Sequence, residues 1–547
     1  MTEAAPRPIR EIAAKLELDP HHVVPYGEDK AKVRLAALTA ADRPPGRLIL
    51  VSAITPTLAG EGKTTTSIGL AQGLAHIGRS ACLALREPSL GPVFGRKGGA
   101  TGSGRAALVP ADDLNLHFTG DFHAVAAAHN LLAAMTDNHV HHGNTLGLDP
   151  RRLLWRRVLD VNDRALRGIV IGLGGPADGV PRESGFDITA ASEVMAVLCL
   201  ADGADDLRRR LGRLIVGLTG DQKPVTAGDL GATGAMMALL KDAMLPNLVQ
   251  TVEGVPAVVH GGPFANIAHG CNSVLATRLA LARADWAITE AGFGFDLGGE
   301  KFLDLKCRAT GLDPALVVMV ATVRALKRHG GTAAERLAEP DPAAVEAGLP
   351  NLLHHVETAA RFGKPSVVAL NHFAGDTDDE VEVVRRACAA AGVAFAVSRH
   401  HAEGGAGAAQ LAETVVAAAE NASGPFRPLY PLEASAADKM AAIARDVYGA
   451  GEVVWSAAAE RDLGLFARLG LDGLPLCVAK APTSLSDDPA VAGRPRGFPV
   501  TVRRVVLSAG AGFLVPLLGD VMRMPGLPRR PSALDVDLVD GKVVGLR

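Results

Sequence analysis

The sequence predicts an α/β protein with parallel sheets and more than one domain, and three observations support this prediction. The chain has 547 residues, which is longer than a single domain usually runs. It is 48% hydrophobic but only 4% aromatic, a composition typical of α/β enzymes rich in Ala, Val, Leu and Gly. Short apolar runs alternate with helical patterns, as buried parallel strands and their crossover helices do.

Residues 55–66 form the stretch around which this prediction is built. They read Thr-Pro-Thr-Leu-Ala-Gly-Glu-Gly-Lys-Thr-Thr-Thr and stand between the apolar run Leu48–Ile54 and a helical pattern. Strand, glycine loop and helix in that order are the context of a phosphate-binding loop, or P-loop. We therefore predict parallel sheets like those of P-loop nucleoside triphosphate hydrolases.

Residues of this loop have chemical reasons to face a phosphate. Gly60 and Gly62 allow backbone N–H groups to turn toward phosphate oxygens, at a helix N-terminus whose dipole favours anions. Lys63 would reach the β- and γ-phosphates, and the Thr64 hydroxyl would hold Mg²⁺. Thr57 replaces the first glycine of the usual pattern, so an ordinary strand-to-helix turn is the alternative. The predicted phosphate site comprises Thr57, Gly60, Glu61, Gly62, Lys63 and Thr64.

A charged pair follows the next predicted strand. Ala81–Leu85 is apolar and leads directly into Arg86 and Glu87. Ligand sites in α/β sheets collect at the carboxyl ends of the strands, so we expect this pair to point into a site. The glycine cluster from Gly95 to Gly104 is then a candidate cover for phosphate or substrate. Asp121 lies in a further polar loop, which opens a helix.

More apolar runs predict that the parallel sheet continues with crossover helices. Between residues 151 and 330 these runs are Gly168–Leu173, Arg213–Gly217, Ala257–His260, Trp286–Thr289 and Leu316–Thr322, and two more follow at Ser366–Leu370 and Val393–Val397. A proline cluster between residues 421 and 433 indicates a domain boundary. We expect a nucleotide-binding domain from residues 1–115 and about 360–430, a second α/β domain at 116–359 and a C-terminal α/β domain at 431–547.

Charge and cysteine usage argue against several classes of function. The net charge of −3 favours neither nucleic acid nor an anionic membrane as a partner. No apolar stretch approaches the length needed to span a bilayer, and the charged N-terminus does not resemble a signal peptide. The six cysteines are scattered without a CxxC pair, which indicates buried free thiols in a reducing compartment. We expect a cytoplasmic protein.

A histidine-rich turn is the other conspicuous polar cluster. Strict alternation would put His139 and His141 on one side of the chain next to His142, and a zinc site is conceivable there. No cysteine or glutamate stands at ligand spacing nearby, so an ordinary polar turn is the favoured interpretation.

From about Val24 to the C-terminus, the chain resembles the formate–tetrahydrofolate ligase family, also called 10-formyltetrahydrofolate synthetases. The matching stretches are long and specific: REPSLGPVFG at 86–95, NLHFTGDFHA at 115–124, MTDNHVHHGN at 135–144, RESGFDITAASE at 182–193, HGGPFANIAHGCNS at 260–273, ITEAGFGFDLGGEKF at 288–302 and MPGLPRRP at 524–531. The histidine turn belongs to this pattern, which favours its interpretation as a turn without metal.

The resemblance implies an ATP-dependent ligase of one-carbon metabolism. Such an enzyme makes 10-formyltetrahydrofolate from formate and tetrahydrofolate through formyl phosphate. ATP is needed because a carboxylate is a poor electrophile and the bridging aniline nitrogen of the folate is a poor nucleophile. Both steps pass through states crowded with negative oxygen, so positioning and charge neutralisation dominate catalysis.

The resemblance also implies roles for individual residues. Lys63 and Thr64 would hold the phosphates of ATP and Mg²⁺, and the planar fork of Arg86 would hold formyl phosphate. Glu87 would lie by a monovalent cation, K⁺ or NH₄⁺. Asp121 would accept the proton or orient the attacking amine. The family is typically homotetrameric, and we expect the same assembly here.

The sequence departs from the family pattern in the substrate loops. Arg96 replaces an aliphatic residue, and Arg105 stands where the family has tyrosine. Phe373 would pack on the pterin ring of the folate, but Ala374 stands where the family has proline. His401 replaces a tryptophan that stacks on the pterin, at a cost on the order of 1 kcal/mol of stacking.

Three hypotheses follow from these departures. The first is the family reaction, with the departures tolerated as drift. The second is a divergent ligase that still activates a carboxylate with ATP but uses a different acid or acceptor, because the added arginines would favour another anion. The third is a non-catalytic paralogue that binds nucleotide or folate.

Overall fold

The computed structural model describes residues 6–39, 43–57, 60–97, 99–422 and 424–546, and the side chains of all of these except Arg96 and Lys97. Within those ranges, no helix combines the length and the apolar character needed to cross a bilayer. All six cysteines are buried free thiols, as predicted.

The strands are numbered here in chain order. They are β1 Val23–Pro25, β2 Ala31–Val33, β3 Arg47–Ala53, β4 Ala81–Leu85, β5 Gly102–Ser103, β6 Ala106–Val109, β7 Leu148–Leu153, β8 Arg157–Leu159, β9 Ile169–Ile171, β10 Arg182–Ser184, β11 Phe186–Ile188, β12 Ile215–Thr219, β13 Pro224–Thr226, β14 Asn247–Thr251, β15 Pro256–Val259, β16 Trp286–Glu290, β17 Pro314–Ala321, β18 Ser366–Asn371, β19 Ala394–Ser398, β20 Glu452–Trp455, β21 Ala479–Lys480, β22 Pro499–Val502, β23 Arg504–Ser508, β24 Phe513–Leu518, β25 Asp537–Val539 and β26 Lys542–Val544.

The α-helices are numbered in the same way. They are α1 Ile9–Lys15, α2 Ala36–Thr39, α3 Lys63–His76, α4 Leu90–Pro92, α5 Ala111–Asn115, α6 Asp121–His141, α7 Glu193–Leu200, α8 Ala204–Gly212, α9 Thr233–Leu239, α10 Val274–Arg283, α11 Arg308–Thr310, α12 Val323–His329, α13 Pro342–Arg361, α14 Asp378–Ala390, α15 His400–Gly407, α16 Ala409–Glu420, α17 Ala436–Ile443 and α18 Ala457–Arg468. Short π-helical turns extend the chain at Val93–Lys97, Phe295–Gly299, Phe302–Cys307 and Ala444–Tyr448.

One large sheet, called the central sheet below, organises the fold. Its strands run in the order β1-β2-β14-β15-β4-β16-β3-β17-β18-β19, and the hairpin β5–β6 is attached at β14. From β15 to β19 the neighbours are all parallel. The α/β class with a predominantly parallel sheet is therefore confirmed.

The apolar character of β3 follows from its position inside this sheet. Leu48 and Leu50 belong to the hydrophobic cluster on one face, whereas Ile49 and Val51 belong to the cluster on the other face. A strand covered on both faces needs apolar residues at successive positions rather than at alternate ones. This is why the strand could be recognised from the sequence, and its predicted position is confirmed.

For two of the apolar runs, the prediction of a parallel strand is wrong. The run at Gly168–Leu173 forms β9, which pairs antiparallel with β10, and Val170 and Leu173 are 58% and 66% exposed. The run at Arg213–Gly217 forms β12, which pairs antiparallel with β7 and β13 in a separate sheet. The link from β12 to β13 is a short turn, and a parallel crossover needs about a dozen residues or more.

The C-terminal region has its own hydrophobic cluster around Tyr448, Phe466 and Leu514, covered by two small sheets. A fully buried ion pair ties it to the central sheet, because Lys480 Nζ lies 2.7 Å from Asp296 Oδ2 in the segment that follows β16. The central sheet itself takes strands from both sides of the predicted boundary at residues 115 and 116. The division into three domains stays a prediction.

Helix α3 and helix α15 pack unusually close together. A Cβ atom on Gly69 of α3 would lie 2.3 Å from Cβ of His400, which is closer than two carbon atoms can approach. Gly69 is buried in the interior of α3, where glycine otherwise weakens a helix. The close approach of α15 therefore explains why a glycine suits this position.

We expect Gly69→Ala to lower the free energy of unfolding by about 1–3 kcal/mol, because the added methyl group must displace His400. Gly464→Ala is the matched control, since this glycine in α18 has only the tip of Arg468 within 4 Å. The control should be neutral or stabilising by about 0.5–1 kcal/mol. Thermal and urea unfolding midpoints measure both. Equal effects at the two glycines would contradict the close packing of α3 on α15.

Candidate active site

The loop between β3 and α3 has the backbone shape that its glycines predict. Gly60 and Gly62 have φ angles of 76° and 73°, in the left-handed region. A Cβ atom on Gly62 would also lie 2.5 Å from Nδ2 of Asn371, so this position admits only glycine without rearrangement. Leu58 and Ala59 lie outside the described residues.

Glu61 stabilises the loop from inside the protein. Its carboxylate is 1% exposed and accepts hydrogen bonds from Thr57 N and Oγ1, at 2.8 and 3.0 Å, and from Thr322 Oγ1 at 2.8 Å. Asn371, at the end of β18, donates to the Glu61 carbonyl at 3.1 Å. Thr57 and Glu61 therefore bond to each other and fix the loop conformation.

Lys63 and Thr64 begin helix α3 at the carboxyl end of β3, and both are partly exposed. The Thr64 hydroxyl donates to Oε2 of Glu290 at 2.8 Å. Glu290 is the last residue of β16, which runs parallel to β3 and pairs with it directly. The start of the helix is thus tied to the end of the neighbouring strand.

Arg86 and Glu87 follow β4 at the same edge of the sheet. An Arg86 guanidinium nitrogen lies 3.7 Å from Oε1 of Glu290, and its buried Nε has no hydrogen-bond partner among the described residues. Glu87 is 5% exposed, and its Oε2 likewise has no such partner. Burial raises the pKa of the Glu87 carboxyl well above its ordinary value, and the charge of Asp121 raises it further, against the opposing effect of Lys32.

Asp121 is the centre of a buried polar network at the start of helix α6. Its two oxygens lie 2.7 Å from Lys32 Nζ and 2.7 Å from Asn247 Nδ2. Thr119 also donates to the Asn247 side chain, at 2.8 Å. Asp121 is 1% exposed and Lys32 is 1% exposed, so their charges compensate each other away from solvent.

The second glycine loop lies between these residues and helix α15. Asp160 holds the residues that precede this loop, through Ser89 Oγ and Leu90 N, and burial raises the pKa of this carboxyl to about 6. At its far end, Arg105 is exposed, and its backbone N–H donates to the His401 carbonyl at 2.9 Å. The side chain of Arg96 lies outside the described residues.

Phe373 and His401 follow the adjacent strands β18 and β19. Phe373 is half-buried, and the Arg324 guanidinium lies over its ring at 4.5 Å. His401 and Ala374 are exposed. His400, by contrast, is buried between Ser398 Oγ, 2.8 Å from Nδ1, and Thr66 Oγ1, 3.4 Å from Nε2.

The histidine turn has an internal role. Nε2 of His139 accepts a hydrogen bond from the Leu146 backbone N–H at 3.1 Å, and the rings of His141 and His142 meet edge to face. In the described parts of the chain, no three His, Cys, Asp or Glu side chains are grouped to hold a metal ion.

The structure thus links several of the sequence-predicted residues at one edge of the central sheet. Thr64 and Arg86 meet through Glu290, and Glu87 and Asp121 interact electrostatically. Sequence reasoning missed Glu290 and Lys32 as members of this cluster. For Glu290 a signal existed, because it follows the apolar run Trp286–Thr289 just as Arg86 follows its own strand. Lys32 is 89 positions from Asp121, and no local pattern indicates that contact.

Known proteins match this chain along nearly its whole length. A family model described as formate–tetrahydrofolate ligase matches residues 1–547. A formate–tetrahydrofolate ligase of Paracoccus denitrificans (strain Pd 1222) is 57% identical over 546 residues, which are 100% of this chain and 98% of the relative. One of Maricaulis maris (strain MCS10) is 54% identical over 542 residues, which are 99% of this chain and 98% of the relative.

His400 should make the site acid-sensitive. Burial lowers the pKa of His400 to about 4, and the neighbouring His401 contributes to that decrease. In the unfolded chain histidine titrates near 6.5, so the unfolded state takes up the proton first as the pH falls. The stabilising contribution of neutral His400 is therefore complete above about pH 6.5 and is lost as the pH falls toward about 4.

We expect His400→Gln to flatten the fall of the unfolding temperature between pH 6.5 and 4, because glutamine takes up no proton. His21→Gln, at an exposed histidine, is the matched control and should leave the pH profile nearly unchanged. An unaltered profile in His400→Gln would show that other groups cause the acid sensitivity.

Proposed function

Because the chain belongs to the formate–tetrahydrofolate ligase family, we propose that the cluster around Glu290 is the site where it makes 10-formyltetrahydrofolate from formate, ATP and tetrahydrofolate. The observation that supports this site best is the contact chain Thr64–Glu290–Arg86. Through these contacts the start of helix α3 is linked to Arg86, whose Nε has no hydrogen-bond partner among the described residues. We infer that the loop at residues 55–66 acts as a P-loop.

In the first step, a formate oxygen attacks the γ-phosphorus of ATP. A P–O bond to formate forms, the bond to the β-phosphate oxygen breaks, and ADP leaves. Lys63 neutralises the transferring phosphoryl group, and the N–H groups at the start of α3 face the phosphate oxygens. Arg86 offers the acyl phosphate its Nε–H, which has no hydrogen-bond partner among the described residues, and its planar fork suits the carboxyl part of such an anion.

In the second step, the bridging nitrogen of tetrahydrofolate attacks the carbonyl carbon of formyl phosphate. A C–N bond forms, the C–O bond to phosphate breaks, and the nitrogen gives up its proton. The two oxygens of Asp121 already accept hydrogen bonds from Lys32 and Asn247. We therefore favour orientation of the amine as the role of Asp121, with departing phosphate as the proton acceptor.

The residues also fit the two cations that the reaction is expected to need. Mg²⁺ prefers oxygen ligands and accompanies nucleotide phosphates, and Thr64 presents a hydroxyl oxygen at the start of α3. Oε2 of Glu87 has no hydrogen-bond partner in the described part of the chain and lies close to the charge of Asp121, so it suits a monovalent cation such as K⁺ or NH₄⁺. A cation there would neutralise a carboxylate that burial otherwise disfavours.

We place the pterin of the folate near Phe373 and His401. Arg324 covers one face of the Phe373 ring, and we propose that the pterin stacks on the other face. Arg105 lies beside His401 at the rim, and Arg96 belongs to the same loop. A different acid or acceptor is not favoured, since the full-length relatives carry the family name despite differing from this chain at about two fifths of positions. A cytoplasmic homotetramer is the assembly we propose by analogy with the family.

The formylation assay tests the function directly. With Mg²⁺, K⁺, ATP, formate and tetrahydrofolate, we expect 10-formyltetrahydrofolate, detected after acid conversion to methenyltetrahydrofolate. Lys63→Ala should lower the rate about 100-fold or more, because it removes the positive charge that would neutralise the transferring phosphate. Lys542→Ala, at an exposed lysine of the C-terminal hairpin, is the control and should be fully active. Bound ATP without product, for this acid and acceptor, would contradict the proposed function.

The monovalent-cation role of Glu87 predicts a separate effect. Glu87→Gln keeps the shape but removes the charge, so the K⁺ concentration for half-maximal activity should rise roughly tenfold or more. Activity is measured against KCl, with tetramethylammonium chloride holding the ionic strength constant. An unchanged K⁺ requirement in Glu87→Gln would place the cation elsewhere.

A further inference from the structure

We propose that Glu290 is a positioning residue that couples the Mg²⁺–nucleotide site to the acyl-phosphate site, through Thr64 on one oxygen and Arg86 on the other. This inference rests on the proposed function. Glu290 contacts both Thr64 and Arg86, called the two anchors below, and takes no part itself in bond formation.

The two oxygens of Glu290 serve different partners. Oε2 accepts a hydrogen bond from the Thr64 hydroxyl at 2.8 Å, and Oε1 faces a guanidinium nitrogen of Arg86 at 3.7 Å. Glu290 is 5% exposed and ends β16. This strand lies between β4, which is followed by Arg86, and β3, which leads to Thr64. The order of the strands therefore makes Glu290 the residue between the two anchors.

The hydrogen bond to Thr64 determines how that hydroxyl faces a cation. A threonine hydroxyl has one proton to donate and two lone pairs to offer. Because the Thr64 hydroxyl donates this hydrogen bond to Glu290, the lone pairs of its oxygen can face a metal ion. In the variant Glu290→Gln, the side-chain amide could present its N–H₂ group, and Thr64 would then accept a hydrogen bond rather than donate one.

The ion pair with Arg86 acts on the other substrate. At 3.7 Å, the Glu290 carboxylate attracts the Arg86 guanidinium without holding it in one position. The Nε of Arg86 still has no hydrogen-bond partner among the described residues. Gly292 contributes room, because a Cβ atom there would lie 3.2 Å from an Arg86 guanidinium nitrogen. Glu290 thus keeps the positive fork near the end of β16, where the γ-phosphoryl group and formate must meet.

Coupling through one carboxylate has a thermodynamic consequence. If Mg²⁺–nucleotide binding repositions Glu290, it also changes the affinity of Arg86 for the acid, and the reverse must hold to the same extent. The unremarkable alternative is that Glu290 only fastens α3 to the sheet. That alternative predicts a loss of stability in Glu290 variants without any change specific to the metal or to formate.

The test compares Glu290→Gln and Glu290→Asp with the unchanged enzyme. Calorimetry measures the affinity for the non-hydrolysable analogue AMPPNP with Mg²⁺ and again with excess EDTA. In Glu290→Gln we expect the Mg²⁺-dependent affinity to fall about tenfold, the metal-free affinity to stay within about twofold, and KM for formate to rise. Glu290→Asp keeps the charge and should recover part of the metal dependence. Glu183→Gln, at an exposed glutamate, is the control.

Each outcome decides the point. Equal losses with and without Mg²⁺, or an unchanged KM for formate, would overturn the coupling and leave Glu290 a structural residue. Should Glu290→Gln not fold, Glu290→Asp and Thr64→Val carry the same comparison, and Thr64→Val should lose the Mg²⁺ dependence as well. Failure of the unchanged enzyme to bind AMPPNP at all would instead contradict the proposed function.

Discussion

The site depends on one constraint, which is that buried carboxylates at the edge of the central sheet must each find a compensating partner. Glu61, Asp121 and Glu290 are 1–5% exposed. A charge removed from water is strongly unfavourable unless a hydrogen bond or an opposite charge replaces the lost hydration. Each of these carboxylates therefore determines the position of a neighbour. Glu61 fixes the loop, Asp121 fixes Lys32 and Asn247, and Glu290 fixes Thr64 and Arg86.

Glu87 differs from these three carboxylates. One of its oxygens is buried without a hydrogen-bond partner among the described residues, and its pKa is raised by burial and by Asp121. At the proposed site, formate, phosphates and a folate would gather negative charge at this edge of the sheet. A cation held by Glu87 would offset part of that charge, and protonation of Glu87 is the other way to relieve it. Perturbed groups of this kind concentrate at functional sites.

The sequence predicted the parts of the fold that depend on local pattern. Strands β3 and β4 were recognisable because both faces of the sheet are covered, so their residues are apolar without alternation. The same pattern misled at β9 and β12, since a short apolar run also suits an antiparallel hairpin, and only the length of the connection separates the two. The catalytic candidates followed strand ends or family motifs. Lys32, distant in sequence from its partner Asp121, could not be found in that way.

The proposed reaction requires that formate is activated as an acyl phosphate. Formate carrying ¹⁸O in both oxygens tests it most directly. If a formate oxygen attacks the γ-phosphorus and the C–O bond then breaks, each turnover leaves one ¹⁸O atom in the inorganic phosphate. Mass spectrometry of the phosphate released during formylation measures this transfer. We expect phosphate with one ¹⁸O per product formed, and phosphate without ¹⁸O would rule out formyl phosphate as the intermediate.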